Sequence, residues 1–269
     1  MTYDRSMKLE QDTPRNAFAL LSWRVNVAVV VALVSVSAVA WSATVEQAHS
    51  MRGMVMDYRD LAGMGAVEFL AMWTTMMAAM MLPTIVPMVL SHHAVALRRG
   101  QSALSTLAFV TGYMLIWSAI GIAMWLAYQV FAQWGDDAAQ SQWLSTLAGA
   151  TLYLAGSYQG TRWKQRCADM CRTPLTFVVI HHSYRGVRDA LRAGVVHGGY
   201  CLGCCWAAMI VLVVVGLTNL LGMAILCVLF LVEKNWEHGR AVAYVAGIGM
   251  MTLGVAVLGY PPLLTTISN

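Results

Sequence analysis

Apolar runs long enough to cross a bilayer recur along this chain, and almost nothing charged interrupts them. A bilayer core of about 30 Å demands roughly 20 helical residues, because each backbone N–H and C=O must find its partner inside the segment. Seven stretches meet or approach that length: Val25–Ala43, Ala66–Leu90, Leu104–Ala132, Leu144–Tyr158, Gly198–Leu217, Leu220–Val232 and Ala241–Tyr260. The fourth and sixth are short. Only 11% of the 269 residues are charged, against about a quarter in soluble globular chains, which excludes a water-soluble domain. The fold class expected is all-α, a polytopic transmembrane helix bundle of about seven spans. The first run follows a polar N-terminus without an Ala-x-Ala cleavage pattern and reads as a retained anchor.

The basic residues give the orientation. Arg5, Lys8, Arg15 and Arg24 precede the first run, and Arg98 and Arg99 follow the second. A dense set from Arg162 to Arg192 follows the fourth, and Lys234 and Arg240 follow the sixth. The opposite side holds only Arg52 and Arg59. Lysine and arginine mark the cytoplasmic side, so the N-terminus is expected inside and the C-terminus outside. The chain then divides into a cytoplasmic tail (1–24) and a first anchor with an outer His/Met loop (25–65). Spans two to four (66–160), a cytoplasmic connection (161–197) and spans five to seven (198–269) complete it. In the connection, Val187 and Leu191 stand at helical spacing among arginines. That pattern fits either a basic amphipathic helix on the anionic leaflet or a plain charged linker.

Five of the six cysteines fall in two groups on the expected cytoplasmic side, Cys167-x₃-Cys171 and Cys201-Leu-Gly-Cys204-Cys205. Disulfides are not expected where the cytosol keeps thiols reduced. Grouped thiols at helical spacing suit a soft metal, and Cu(I), which accepts few thiolate ligands, fits better than zinc, which closes with four. His197, four residues before Cys201, is a candidate further ligand. Glu233, where the sixth run meets the cytoplasm, is a candidate auxiliary that orients a ligand or pairs with an arginine. Lys234 is expected to snorkel. Cys227 fits a small packing residue. His92, His93, His181, His182 and His238 are expected to be solvated or snorkelling.

Methionine supplies a second pattern. Met72, Met76 and Met80 recur every four residues, Met77 and Met81 form an adjoining row, and Pro83 and Pro87 should bend the helix beyond them. The outer loop adds His49, Met51 and Met54. Thioethers outside and thiolates inside would form a metal path across the membrane. A methionine stripe equally fills gaps in a core, so both readings stand. No Ser/His/acid spacing, phosphate-cradling glycine loop or ATP motif is present, which disfavours an enzyme.

Several strings carry a resemblance. They are Met80-Met-Leu-Pro-x-x-x-Pro-Met88; Tyr158-Gln-x-Thr-x-x-Lys164-x-x-Cys167-x₃-Cys171-Arg-x-Pro174; Gly194-x₂-His197-Gly-x-Tyr-Cys201-x-Gly-Cys204-Cys205-Trp206; and Glu233-Lys234. In this order they resemble a bacterial family of predicted metal-binding integral membrane proteins, sometimes labelled copper chaperones. The resemblance covers roughly residues 68–260, and Cys-x-Gly-Cys-Cys-Trp is its most specific part. Trp163 and Ala168 depart from the family's usual residues without touching a proposed ligand. It implies a multi-pass protein of the bacterial cytoplasmic membrane. Three function classes remain open. The first is a Cu(I)-handling protein, with zinc as the alternative ion and a metal donor or acceptor as partner. The others are a thiol–disulfide oxidoreductase and an assembly factor for another membrane complex. Nothing in the sequence points to nucleic acid.

Overall fold

The computed structural model describes residues 3–50, 63–134, 142–181, 186–215 and 219–260. These form ten α-helices and one 3₁₀ turn, with no strand among the described residues. In chain order the helices are α1 (Tyr3–Ser50), α2 (Ala66–Met81), α3 (Val86–Arg98), α4 (Ala103–Trp134) and α5 (Gln142–Gln159). They continue with α6 (Arg162–Arg172), α7 (Pro174–His181), α8 (Val187–Val215), α9 (Leu220–Asn235) and α10 (Gly239–Gly259).

Among the described residues four helices are long and apolar enough to span a bilayer: Trp23–His49 of α1, Ala103–Val130 of α4, Val187–Leu212 of α8, and α10. The bent pair α2/α3 makes a fifth if it counts as one span. The expected count of seven also included α5 and α9. Their 18 and 16 residues give only about 27 and 24 Å of helix against a core of about 30 Å. The ends of α9 are set locally: Asn219 Oδ1 accepts the Gly222 N–H at 2.8 Å, and Trp236 leaves the helical conformation.

The expected bend is present. Pro83 cannot donate to the helical ladder, residues Pro83–Ile85 tighten into the 3₁₀ turn, and α2 and α3 diverge by 41°. Interhelical hydrogen bonds tie α2 on two sides. Ser37 Oγ of α1 donates to the Ala79 carbonyl at 2.8 Å, and Trp73 Nε1 donates to the Trp117 carbonyl of α4 at 2.8 Å. Met72, Met76, Met77, Met80 and Met81 are all buried between these neighbours.

The basic segment after residue 186 forms the first turns of α8 and not a separate surface helix. The reason is backbone contact with α4. A Cβ on Gly194 would lie 2.0 Å from the Phe109 carbonyl, and one on Gly112 would lie 2.2 Å from that of Leu191. Glycines at both crossings let these two long helices touch, with Ala190 and Ala193 buried beside them. Across α8 lies the short helix α6. Thr161 caps its start by accepting the Lys164 N–H at 3.3 Å. It ends at Thr173 because the residue before a proline is pushed out of the helical region, and Pro174 begins α7.

Candidate metal centre

Cys201, Cys204 and Cys205 share one face of α8, and their sulfurs all lie within 4.8 Å of one another. All three are buried, and the Cys204 and Cys205 sulfurs are 3.3 Å apart. One ion with metal–sulfur bonds of about 2.3 Å can reach three sulfurs so placed. Among the described residues no other set of three His, Cys, Asp or Glu side chains is grouped this closely.

Cys201 is the most heavily contacted of the three. Lys234 Nζ of α9 donates to its Sγ at 3.0 Å, and the Tyr113 hydroxyl of α4 lies 3.0 Å from the same atom. Lys234 also reaches Thr84 Oγ1 in the bend at 3.3 Å, and its Nζ stands 5.6 Å from the centre of the Phe230 ring. The expectation that Lys234 snorkels is therefore overturned: the side chain is 5% exposed and its ammonium points at sulfur. A buried ammonium needs acceptors, and Cys201 and Thr84 supply them.

Cys167 and Cys171 are on one side of α6, as their spacing predicts for a helix. Cys171 is partly buried and packs against the core cluster that includes Cys201, Cys204 and Cys205. Cys201 is the first cause holding its pKa well above the usual thiol range. Cys167 lies against Gly203, where an added Cβ would meet its Sγ at 2.7 Å, and burial lifts its pKa. Sulfur atoms separated by some thirty residues thus come together along the contact of α6 with α8.

Glu233 is not turned toward the sulfurs. Its carboxylate is 2.5 Å from Lys164 Nζ and 3.8 Å from the Arg172 guanidinium, and both cations belong to α6. Arg172 Nε donates to the Glu233 main-chain carbonyl at 2.8 Å, and Lys164 also donates to Gln159 Oε1. Lys164 is fully buried and Glu233 nearly so. Adjacent residues of α9 therefore serve two directions: Glu233 fastens α6, and Lys234 addresses the thiol cluster.

His197 is buried outside the sulfur group, packed among the rings of Phe177 (5.0 Å between centroids), Tyr113 (5.7 Å) and Phe109 (5.9 Å). His92 and His93, expected to be solvated or snorkelling, are also buried, with His92 stacked on Phe109 and His93 Nδ1 2.7 Å from Thr106 Oγ1. The short connection to α4 folds both back into the bundle. His238 is exposed beside Glu237. Cys227 lies apart from the three-thiol group, its Sγ 3.6 Å from the Met80 carbonyl. His49 is exposed near the end of α1, and Met51 and Met54 lie outside the described residues.

Tyr113 and Thr84 escaped the sequence reading as parts of this region, and Lys164 entered it only within the string that carries the family resemblance. For Tyr113 there was no signal, since only the α4–α8 crossing brings it to Cys201.

No curated protein and no solved structure matches this chain. A family model described as a copper chaperone, PpoB2, matches residues 70–257. That range runs from α2 into α10 and takes in every cysteine. A match over so much of the chain settles its kinship: the protein belongs to the PpoB2 copper chaperone family.

Proposed function

We propose that this protein binds Cu(I) at Cys201, Cys204 and Cys205, with Cys171 and Cys167 adding sulfur from α6, and delivers, acquires or transports the ion. The observation that carries the reading is a buried donor set made only of sulfur, with no carboxylate or imidazole in the group. Soft thiolates select Cu(I), which tolerates two or three ligands. Zinc, the alternative cargo, calls for tetrahedral closure. The copper chaperone description of the family supports the same choice. His197 and Glu233 then act around the site: one packs beside Tyr113, and the other holds α6 in place.

The membrane setting is part of the proposal. Four to five spanning helices and the one-sided basic residues support a cytoplasmic-membrane protein with its thiols facing the cytosol. The seven-span arrangement, N-terminus inside and C-terminus outside, would add α5 and α9 as short spans. Met72, Met76 and Met80, with His49, Met51 and Met54 at the outer end, form the proposed route toward the thiols. The burial of the three α2 methionines supports this, since a path through the bundle needs inward-facing sulfur.

The test is metal analysis of protein purified without oxygen, with competitive titration by Cu(I) and by Zn(II). Cu(I) retained against a chromophoric chelator is the expected outcome. Retention of zinc with no Cu(I) uptake would replace the cargo. A cysteine pair that oxidises reversibly in metal-free protein would favour the oxidoreductase reading.

A further inference from the structure

The five grouped thiols are not equally accessible. Cys201, Cys204 and Cys205 are buried, whereas Cys167 and Cys171 are only partly so. The first set stands on a long helix pinned to α4. The second stands on an eleven-residue helix bounded by non-helical residues at both ends, Thr161 (ψ 149°) and Thr173 (ψ 71°). Ala168, Cys167, Met170 and Cys171 pack that short helix on the core, and ion pairs fasten it further. Lys164 and Arg172 meet Glu233 of α9, and Asp169 meets Arg240 of α10 at 2.7 Å. The Glu233 contacts are buried and the Asp169 pair is exposed, so Glu233 carries most of the ionic fastening.

We propose that α6 is an exchange arm, in which Cys171 and then Cys167 carry the ion between the α8 thiols and the cytoplasmic surface, and that Glu233 is the positioning residue fastening it. The inference rests on the metal reading and assigns the α6 thiols a task beyond simple ligation. Cys167 lies against Gly203 of α8, and Cys171 packs on the same cluster as the three α8 thiols, so transfer needs no large movement. A bond from the ion to the Cys171 sulfur forms as a bond to one α8 sulfur breaks. The proton leaving Cys171 passes to the thiolate set free, and no electron is transferred. Cys167, four residues away on the same side of α6, repeats the step toward solvent.

Transfer kinetics separate an exchange thiol from a resting ligand, because the two predict opposite signs. In copper-loaded full-length protein, Cys171→Ser is expected to slow Cu(I) transfer to bathocuproine disulfonate several-fold. Loss of a mere ligand would weaken the site and speed transfer, so a rate at or above wild type overturns the proposal. Glu233→Gln is expected to speed transfer. In metal-free protein, maleimide should label Cys167 and Cys171 before the α8 thiols. Glu233→Gln should raise Cys171 labelling about tenfold or more, as follows from removing one partner of a buried ion pair. Lys164→Met, which removes the opposite partner, serves where Glu233→Gln fails to fold and should do the same. Unchanged Cys171 labelling in a variant of wild-type helix content sinks the fastening role. If no Cu(I) binds at all, the metal reading and the exchange role fail together, and the labelling arm alone still decides whether Glu233 holds α6.

Discussion

Replacing Cys204 and Cys205 together by serine is expected to abolish tight Cu(I) binding, while Cys227→Ser leaves it intact. The double change removes two of three sulfurs lying within 4.8 Å of one another. Taking roughly 3 kcal/mol for each metal–thiolate contact, the loss is on the order of 10⁴ in affinity. Serine preserves volume and hydrogen bonding, so the helix should stand. Cys227 sits elsewhere, against the Met80 carbonyl, and its replacement tests whether any buried sulfur on this side matters. Competition with a chromophoric chelator under nitrogen reads both variants. Equal copper in the two would remove the three-thiol site from consideration.

The largest structural effect should come from Gly194→Leu. Its Cβ would be 2.0 Å from the Phe109 carbonyl, a backbone atom that cannot swing aside. Helices α4 and α8 must separate, taking Tyr113 away from Cys201. Overpacking typically costs about 1–3 kcal/mol where side chains can yield. Here they cannot, and a loss of at least about 3 kcal/mol is expected. Gly199→Ala is the control on the same helix. Nothing stands within 4 Å of its added Cβ, and exchanging glycine for alanine in a helix gains up to about 1 kcal/mol. Thermal unfolding in detergent should drop steeply for the first variant and hold or rise for the second. Equal midpoints would mean that α4 and α8 do not rely on this contact.

Much of the helical framework was readable because a bilayer imposes length and apolarity on every span. Pro83 announced its bend, and the spacing of Cys201, Cys204 and Cys205 announced their common face. Periodicity within one segment cannot report which segments meet. That α6 lies across α8, bringing Cys171 to Cys201, depends on Lys164 and Arg172 finding Glu233 some sixty residues later. Lys234 shows the same limit: a lysine at the end of an apolar run can bend outward to water or inward to an acceptor, and the acceptor belongs to another helix. His197 kept its place beside the thiols in sequence, yet the aromatic rings of α4 and α7 claimed its ring. The start of α8 was set by glycine contacts that no hydropathy window registers.

The 3₁₀ turn at Pro83–Ile85 acts as an elbow whose inner corner reaches the thiol cluster through Lys234. Thr84 sits at that corner and touches Lys234, which touches Cys201. Flexing α2 against α3 would therefore be felt at Cys201 through Thr84 and Lys234. Straightening the elbow by Pro83→Ala should shift Cu(I) affinity although residue 83 binds nothing, and an affinity identical to wild type would show the two limbs to be mechanically independent. A tilt of one rod is thereby carried through two side chains to a sulfur on another helix.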